Sequence, residues 1–399
     1  MNIRDAKEEI INTIKVYLER DKEGNYRIPR VRQRPILMIG PPGVGKTQII
    51  EQIAEECQVG LVSYTITHHT RQSAVGLPFI KEEEFEGEKY SVTEYTMSEI
   101  IASVYRQMRE TGKKEGILFI DEINCVSETL APTMLQFLQC KRFGNQDVPE
   151  GWIIVAAGNP VEYNKSVREF DVVTLDRVRQ IDVQADYRVW KEYAREVGIH
   201  RAILGYLELY PKNFYRIEAD VDGMKYVTAR GWEDLSNLLT LYEEKGFKIT
   251  TDILREYIAH EDVAEDFYAY LDLFHKYREE YPIGDIFAGT VNSQIYERLT
   301  RAGFDEKITV VELLVDGLTT LYDQLESAEY LSASLENAFS FVESAFGDEE
   351  EMVLFVTEIT MIPKLVMFLA EHPSESYLVH SEKLLAQERR REILREMKK

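Results

Sequence analysis

The sequence predicts an α/β fold in which a parallel sheet is followed by a region made of helices. Short apolar runs alternate with helical stretches between residues 36 and 183, and helical periodicity dominates after about residue 185. Continuous apolar strands are typical of a sheet that is buried on both faces, and strands separated by helices are typical of parallel pairing. We therefore expect a βα core with helices on both sides of its sheet.

The elements of this core follow from the patterns in chain order. An amphipathic helix is predicted first, because apolar residues recur at helical spacing, and a basic linker follows it. The residues that form the apolar stripe of this first helix are Ala6, Ile10, Ile14, Tyr17 and Leu18. The predicted strands are 36–39, 61–66, 117–120, 152–156 and 179–183, and the predicted helices between them are 47–57, 98–109 and 129–138.

The change in periodicity suggests three domains. We expect a core with its N-terminal helix over residues 1–185, a helical lid over 186–281 and a helical C-terminal extension over 282–399. Pro282 and Gly284 mark the last boundary, since both residues interrupt helices. A chain of 399 residues is long enough to bury the large core that this organisation needs.

The composition excludes several classes of protein. The longest apolar runs are far shorter than the roughly 20 residues that a membrane helix needs, and residues 1–21 lack the apolar centre of a secretion signal. We therefore expect a cytoplasmic protein without membrane contact. The net charge of -23 disfavours nucleic acid as a general partner, because such binding depends on clustered Lys and Arg. Three cysteines without CxxC spacing argue against a zinc site and against disulfides.

The strongest local signal follows the first predicted strand. The segment GPPGVGKT at residues 40–47 is a complete GxxxxGK[ST] motif, and it directly precedes a predicted helix. Its glycines allow a tight turn whose N–H groups point at phosphates, and the helix N-terminus adds positive potential. Lys46 is expected to reach the β and γ phosphates, and the Thr47 hydroxyl to bind Mg²⁺. The residues predicted to hold the nucleotide are Gly40, Pro41, Pro42, Gly43, Val44, Gly45, Lys46, Thr47 and Gln48.

A second signal lies at the end of the strand predicted over residues 117–120. Asp121 is expected to hold the magnesium shell, and Glu122 to activate the water that attacks the γ phosphate. A surface turn is the alternative interpretation of such an acidic pair. The only Asn-Lys segment, at residues 164–165, lacks the Asp that small GTPases use to bind guanine, so ATP is favoured over GTP. The predicted activity is ATP hydrolysis with Mg²⁺.

Five segments together resemble the AAA+ superfamily, and specifically the MoxR-like ATPases. The resemblance covers roughly residues 1–275 and implies a P-loop AAA+ core followed by an all-α lid. The segments are GPPGVGKT at 40–47, FIDEIN at 119–124, AAGNP at 156–160, LDRV at 175–178 and TARGWEDL at 228–235. The sequence departs from the family pattern after DEIN, where Cys125-Val126-Ser127 replaces the usual arginine and prolines.

The resemblance implies roles for three further residues. Asn159 is similar to the sensor that orients the attacking water, Arg177 to the arginine finger that one subunit offers to its neighbour, and Arg230 to the lid sensor. Arg168 and Arg179 lie close enough to Arg177 in sequence to compete for the finger role. An ordinary surface or first-turn arginine is the alternative for both Arg177 and Arg230.

The family also often carries two hairpin insertions. Residues 68–91 and 140–151 fit these insertions, and loops of this kind commonly face the pore of a ring. Phe79, Ile80 and Phe143 are therefore candidate contacts with a substrate protein, although a place in the core is an equally good interpretation.

The leading functional hypothesis is a ring, expected to be a hexamer, that uses ATP to remodel or activate a protein. MoxR-like ATPases usually work with a separate protein that carries a von Willebrand factor A domain, so such a partner is implied. The alternative is a nucleic-acid-acting AAA+ motor or a defence-system ATPase. A scaffold that binds ATP without turnover is a third hypothesis, which the presence of both Lys46 and Glu122 disfavours.

Overall fold

The computed structural model describes residues 1–68, 70–143, 146–163, 167, 170–220, 223–324, 327–346 and 349–396. The chain forms two compact units, Met1–Val189 and Trp190–Lys399. The finer division into three domains, at residues 185 and 281, stays a prediction.

The first unit is built on a sheet of five parallel strands, as the sequence predicts. The strands lie in the order β2-β5-β8-β1-β9, and every neighbouring pair is parallel. The strands described in this unit are β1 (Ile36–Ile39), β2 (Gly60–Thr65), β3 (Pro78–Phe85), β4 (Glu88–Tyr95), β5 (Gly116–Asp121), β6 (Arg142–Phe143), β7 (Gln146–Asp147), β8 (Trp152–Gly158) and β9 (Arg179–Asp182).

Helices cover both faces of this sheet. Ile36 and Met38 of β1 point to one apolar cluster and Leu37 to the other, because successive strand residues face opposite sides. One cluster includes buried side chains of α1 and α2, and the other those of α4 and α5. The helices are α1 (Ile3–Tyr17), α2 (Lys46–Glu56), α3 (Arg71–Val75), α4 (Glu99–Thr111), α5 (Ala131–Cys140), α6 (Val172–Leu175) and α7 (Tyr187–Glu196), the last of which continues into the second unit.

Two antiparallel hairpins interrupt the βα order, one of which overlaps the predicted insertion at 68–91 and extends beyond it to Tyr95, while the other lies within the predicted 140–151. Strands β3 and β4 pair from Pro78↔Tyr95 to Phe85↔Glu88, and Glu86 and Gly87 join them with φ of 56° and 87°. Two positive φ values are typical of the tight turns that match the twist of a hairpin. The second hairpin pairs β6 with β7. Its connecting residues, 144 and 145, lie outside the described part of the chain.

The position of Phe143 corrects one expectation. Phe143 is 2% exposed and its ring stacks on that of Phe137, with 4.1 Å between the ring centroids. It therefore belongs to the core of the first unit and not to a surface that contacts a substrate. Phe79 and Ile80, by contrast, are 42% and 77% exposed.

The second unit is mainly helical. Its helices are α8 (Arg201–Leu209), α9 (Ala229–Lys245), α10 (Thr251–Tyr257), α11 (Glu261–Glu280), α12 (Ile283–Phe287), α13 (Ser293–Arg301), α14 (Phe304–Asp323), α15 (Ala328–Phe346), α16 (Glu349–Thr360), α17 (Pro363–Glu371) and α18 (Glu375–Glu396). A hairpin of β10 (Arg216–Asp220) and β11 (Gly223–Val227) departs from the expected all-α lid. Both strands alternate polar and apolar residues, but each is only five residues long, which is too short for the pattern to stand out among the helical segments around it.

No single helix among the described residues is long and apolar enough to cross a membrane. Glu350–Thr360 and Pro363–Glu371 pass the same test of length and composition only as a pair, which is bent by 90°. Phe355, Ile359 and Leu365 of this pair are fully buried in the second unit.

Buried ion pairs join helices from different parts of the second unit. Glu358 of α16 is fully buried and forms ion pairs with Lys191 at 3.1 Å and with Arg195, both of α7. Lys307 of α14 pairs with Glu351 of α16 at 3.0 Å. Burial lowers the pKa of Lys191, and the neighbouring Arg195 cation lowers it further. The charged form of Lys191 is therefore stabilised here mainly by its carboxylate partners.

Replacement of Glu358 by glutamine tests this network. Glu358→Gln keeps the shape of the side chain but removes the buried charge that Arg195 and Lys191 share, while Lys191 keeps its ion pair with Glu208, so we expect a loss of about 3 kcal/mol in the free energy of unfolding. Urea unfolding, monitored by circular dichroism, measures this loss. Glu350→Gln, at an exposed position of the same helix, is the matched control and should change the free energy by less than about 0.5 kcal/mol. Equal unfolding curves for the two variants would contradict the argument.

Candidate active site

The predicted site residues of the first unit meet at one edge of the sheet. Strand β8 lies between β5 and β1, and all three strands are parallel. Their carboxyl ends therefore deliver three segments to the same edge, which are the loop after Ile39, the pair Asp121 and Glu122, and Asn159. Ligands in open α/β sheets bind outside the carboxyl ends of strands.

The glycine-rich loop is shaped by its backbone. Gly45 has a φ of 89° and forms the N-terminal cap of α2, a conformation that L residues with side chains rarely adopt. Gly40 is needed for space, because a Cβ there would lie 2.9 Å from the carbonyl oxygen of Val183. The loop therefore follows the end of the sheet closely and leads directly into a helix N-terminus, which is the arrangement that binds phosphate groups.

Lys46 is enclosed by this loop. The side chain is 8% exposed, and its Nζ donates to the carbonyl oxygens of Gly40 at 2.7 Å and Pro41 at 2.9 Å. Nζ also donates to Oδ1 of Asn159 at 3.0 Å. The structure thus brings together two of the residues that the sequence predicts to act in hydrolysis.

Thr47 and Asp121 lie beside each other. The Thr47 hydroxyl donates to Oδ2 of Asp121 at 2.9 Å, and the backbone N–H of Glu122 donates to Oδ1 of Asp121 at 2.9 Å. Hydroxyl and carboxylate oxygens are ligands that Mg²⁺ accepts, and this ion usually takes only one or two carboxylates plus phosphates and water. The two residues therefore fit the predicted magnesium site. The described residues contain no group of three or more His, Cys, Asp or Glu that could hold a metal without such additional ligands.

Glu122 has a partner that the sequence analysis missed. Thr67, in the turn after β2, donates its hydroxyl to Oε2 of Glu122 at 2.8 Å. Glu122 also has a φ of 56°, which is uncommon for a residue with a side chain and is often found at functional positions. The contact follows from the position of β2 next to β5 in the sheet. The sequence predicts the strands but not their order in the sheet, so it could not indicate this contact.

Asn124 is the last residue of the FIDEIN segment, and its sequence position predicts no catalytic role for it. Its side chain is 5% exposed and forms two hydrogen bonds with the backbone of Asn159. Asn124 therefore connects the end of β5 to the end of β8.

The candidate arginine fingers have different surroundings. Arg177 follows α6, is exposed and donates to Oε1 of Gln139. Arg179 is held against α1 by Glu9 and by the Thr13 hydroxyl, at 2.7 Å from the latter. These contacts hold Arg179 within its own unit, so Arg177 is the better candidate for the arginine finger. Arg168 lies outside the described residues.

Arg230 belongs to the second unit. It is exposed in the first turn of α9, and Thr228 caps that helix by accepting from the N–H of Gly231 at 3.2 Å. The cap agrees with the sequence analysis, and Leu235 and Leu239 form the buried stripe of the helix. The proposed role of Arg230 at the nucleotide stays a prediction.

The loop, the buried lysine and the hydroxyl beside a carboxylate define a P-loop nucleotide-binding domain. Residues 36–174 match the family model described as ATPase family associated with various cellular activities (AAA). The match covers about a third of the chain and supports ATP hydrolysis in general. No curated protein matches the chain.

The Thr67 contact leads to a prediction about basal turnover. The Thr67 hydrogen bond holds the Glu122 carboxylate in one orientation and takes one lone pair of Oε2, so its removal leaves the carboxylate freer to turn towards the attacking water. If the hydrogen bond contributes about 1 kcal/mol, its removal increases the fraction of molecules in which the Glu122 carboxylate is not hydrogen-bonded to residue 67 by about five-fold. We expect Thr67→Val to raise basal ATPase activity by up to this factor in a phosphate-release assay.

Thr67→Ser is the matched control, because it keeps the hydroxyl and should keep the activity of the unmodified protein. A loss of activity in Thr67→Val that Thr67→Ser does not share would contradict the prediction. That result would mean that Thr67 helps to orient Glu122 for catalysis.

Proposed function

We propose that this protein is a MoxR-like AAA+ ATPase that hydrolyses ATP within a ring and thereby remodels or activates a protein partner. The observation that carries the ATPase part is the meeting of Lys46, Asn159, Thr47 and Asp121 at one sheet edge. The finer MoxR-like assignment is supported by the LDRV and TARGWEDL segments and by the hairpin β3–β4 between β2 and α4.

Nucleotide binding begins with an exchange of hydrogen bonds at Lys46. The ammonium leaves the carbonyl oxygens of Gly40 and Pro41 and donates to oxygens of the β and γ phosphates. The N–H groups at the start of α2 bind the phosphates at the same time. Thr47 and Asp121 would hold Mg²⁺, which when bound neutralises charge on the phosphates.

Hydrolysis then needs a base and an orienting group. Glu122 accepts a proton from water as its oxygen attacks the γ phosphorus, and the bond between that phosphorus and the bridging oxygen breaks to release ADP and phosphate. The Asn159 side chain orients this water, and Lys46 stabilises the charge that develops on the phosphate oxygens.

Replacement of Glu122 tests the chemical step. We expect Glu122→Gln to lower kcat by about 10²-fold or more, because the amide cannot accept the proton, while ATP binding remains. Phosphate release measures turnover, and light scattering with and without ATP measures assembly, which the variant should retain in its ATP-bound form. Glu110→Gln, at an exposed position of α4, should keep the activity of the unmodified protein. Full turnover by Glu122→Gln would remove Glu122 from the mechanism.

The ring is proposed because the LDRV segment resembles the segment with which family members offer an arginine finger to a neighbouring subunit. Arg177 is exposed, so it is available to the nucleotide of a neighbouring subunit. An arginine supplied in this way stabilises the charge on the transferring phosphoryl group and is worth about 10³ to 10⁵ in rate. We propose a hexamer with Arg177 as the finger.

Mixing two inactive variants tests this arrangement. Lys46→Ala subunits cannot bind nucleotide productively, and Arg177→Ala subunits cannot serve their neighbour. A mixture contains interfaces with an intact Lys46 on one side and an intact Arg177 on the other, so we expect activity to return in a phosphate-release assay. Arg179→Ala is the control and should remain active alone. If Arg179→Ala were inactive and Arg177→Ala were active, Arg179 and not Arg177 would be the arginine finger.

The partner is proposed to be a separate protein with a von Willebrand factor A domain, and both proteins are proposed to act in the cytoplasm. Phe79 and Ile80 are exposed on the hairpin β3–β4 and are candidate contacts with the remodelled protein. Affinity capture with Glu122→Gln in ATP, and with Phe79→Ser and Ile80→Ser in the same background, tests the partner and its contact together. Captured DNA or RNA with salt-dependent stimulation of the ATPase would favour the nucleic-acid motor instead.

A further inference from the structure

We propose that Asn124 is a positioning residue for ATP hydrolysis, because its side chain fixes the backbone of Asn159. This inference rests on the proposed ATPase function. Asn124 acts through Asn159 and is not itself expected to touch the nucleotide.

The contact between the two residues uses both ends of the Asn124 amide. Nδ2 donates to the carbonyl oxygen of Asn159 at 2.8 Å, and Oδ1 accepts from the N–H of Asn159 at 3.2 Å. The two hydrogen bonds hold the peptide groups on both sides of the Asn159 Cα and therefore fix the position and the orientation of its backbone. The side chain is 5% exposed, so water does not compete easily for these bonds.

Gly158 leaves the space that this contact needs. A Cβ at residue 158 would lie 2.5 Å from Oδ1, 2.8 Å from Cγ and 3.1 Å from Nδ2 of Asn124. A side chain at this position would therefore force the amide away from Asn159. Asn124, Gly158 and Asn159 form one structural arrangement, in which the glycine is required for its small size.

The position of Asn159 matters because its side chain faces the reacting groups. Its Oδ1 accepts from Nζ of Lys46 at 3.0 Å, and Asn124 lies two residues after Glu122. The N–H of Ile123 also donates to the carbonyl oxygen of Ala157 at 2.9 Å, so the acidic segment and the Asn159 segment are tied at two successive points. Catalytic groups must be held within fractions of an ångström, and a small displacement of Asn159 should therefore slow the chemical step more than nucleotide binding.

The experiment compares kcat, the KM for ATP, binding of a fluorescent ATP analogue and the thermal unfolding midpoint. We expect Asn124→Ala to lower kcat by about 10- to 100-fold while KM and analogue binding change by less than about three-fold. Asn124→Asp keeps the acceptor for the Asn159 N–H but loses the donor, so its kcat should also fall. This second variant tests the proposal if Asn124→Ala does not fold.

Ile123→Val is the matched control for stability. Ile123 is buried in the same segment, and its replacement removes one methylene group while both Asn124 hydrogen bonds remain. We expect its unfolding midpoint to fall by a few degrees and its kcat to stay unchanged. A kcat that follows the unfolding midpoint across Ile123→Val, Asn124→Asp and Asn124→Ala would overturn the positioning role, because it would indicate general destabilisation.

Gly158→Ala tests the arrangement from the other strand. It should lower kcat as Asn124→Ala does, and the double variant should be no slower than Asn124→Ala alone, because both changes break the same contact. Additive losses would overturn the coupling. An unmodified protein without ATPase activity would refute the proposed function, whereas an active protein whose Asn124→Ala variant keeps kcat would refute only this inference.

Discussion

The parallel arrangement of β5, β8 and β1 is the constraint on which the site depends. Because the three strands are adjacent and run in one direction, the polar residues that follow them are brought within hydrogen-bond distance of each other. An antiparallel neighbour would send its carboxyl end to the opposite edge of the sheet. The apolar clusters on both faces keep these strands in register, so the core packing determines the geometry of a site that it does not touch.

A buried cation explains much of the local structure around the loop. Lys46 is almost fully enclosed, and an enclosed ammonium is costly unless its protons find acceptors. Gly40, Pro41 and Asn159 supply three oxygens. These same protons are the donors that phosphates would need, so nucleotide binding replaces one set of acceptors by another and finds the cation already buried in place.

Much of the core could be predicted from sequence, because its strands are continuous apolar runs and its loop has a specific pattern. Residues 36–39 were predicted and observed as β1, and Asp121 ends β5 as expected. Thr67 and Asn124 could not be assigned roles, since their contacts depend on which strands are neighbours. The burial of Phe143 was not evident either, because an aromatic residue in a short insertion fits a core or a surface equally well. What the sequence does not predict in these cases is which residues are neighbours in the tertiary structure, whereas the local secondary structure is predicted well.

The polar contacts at the strand ends suggest how basal turnover of ATP is restrained. Glu122 is held by Thr67, and Asn159 is held by Asn124. The first hydrogen bond holds the carboxylate that is proposed to act as the base, whereas the second fixes a backbone and leaves the Asn159 side chain in contact with Lys46. Release of Glu122 therefore favours hydrolysis, while release of Asn159 opposes it. A side-chain hydrogen bond thus has opposite expected effects on hydrolysis at two neighbouring strand ends. At one end it holds the carboxylate that is proposed to react, and at the other it holds the backbone that positions the Asn159 side chain.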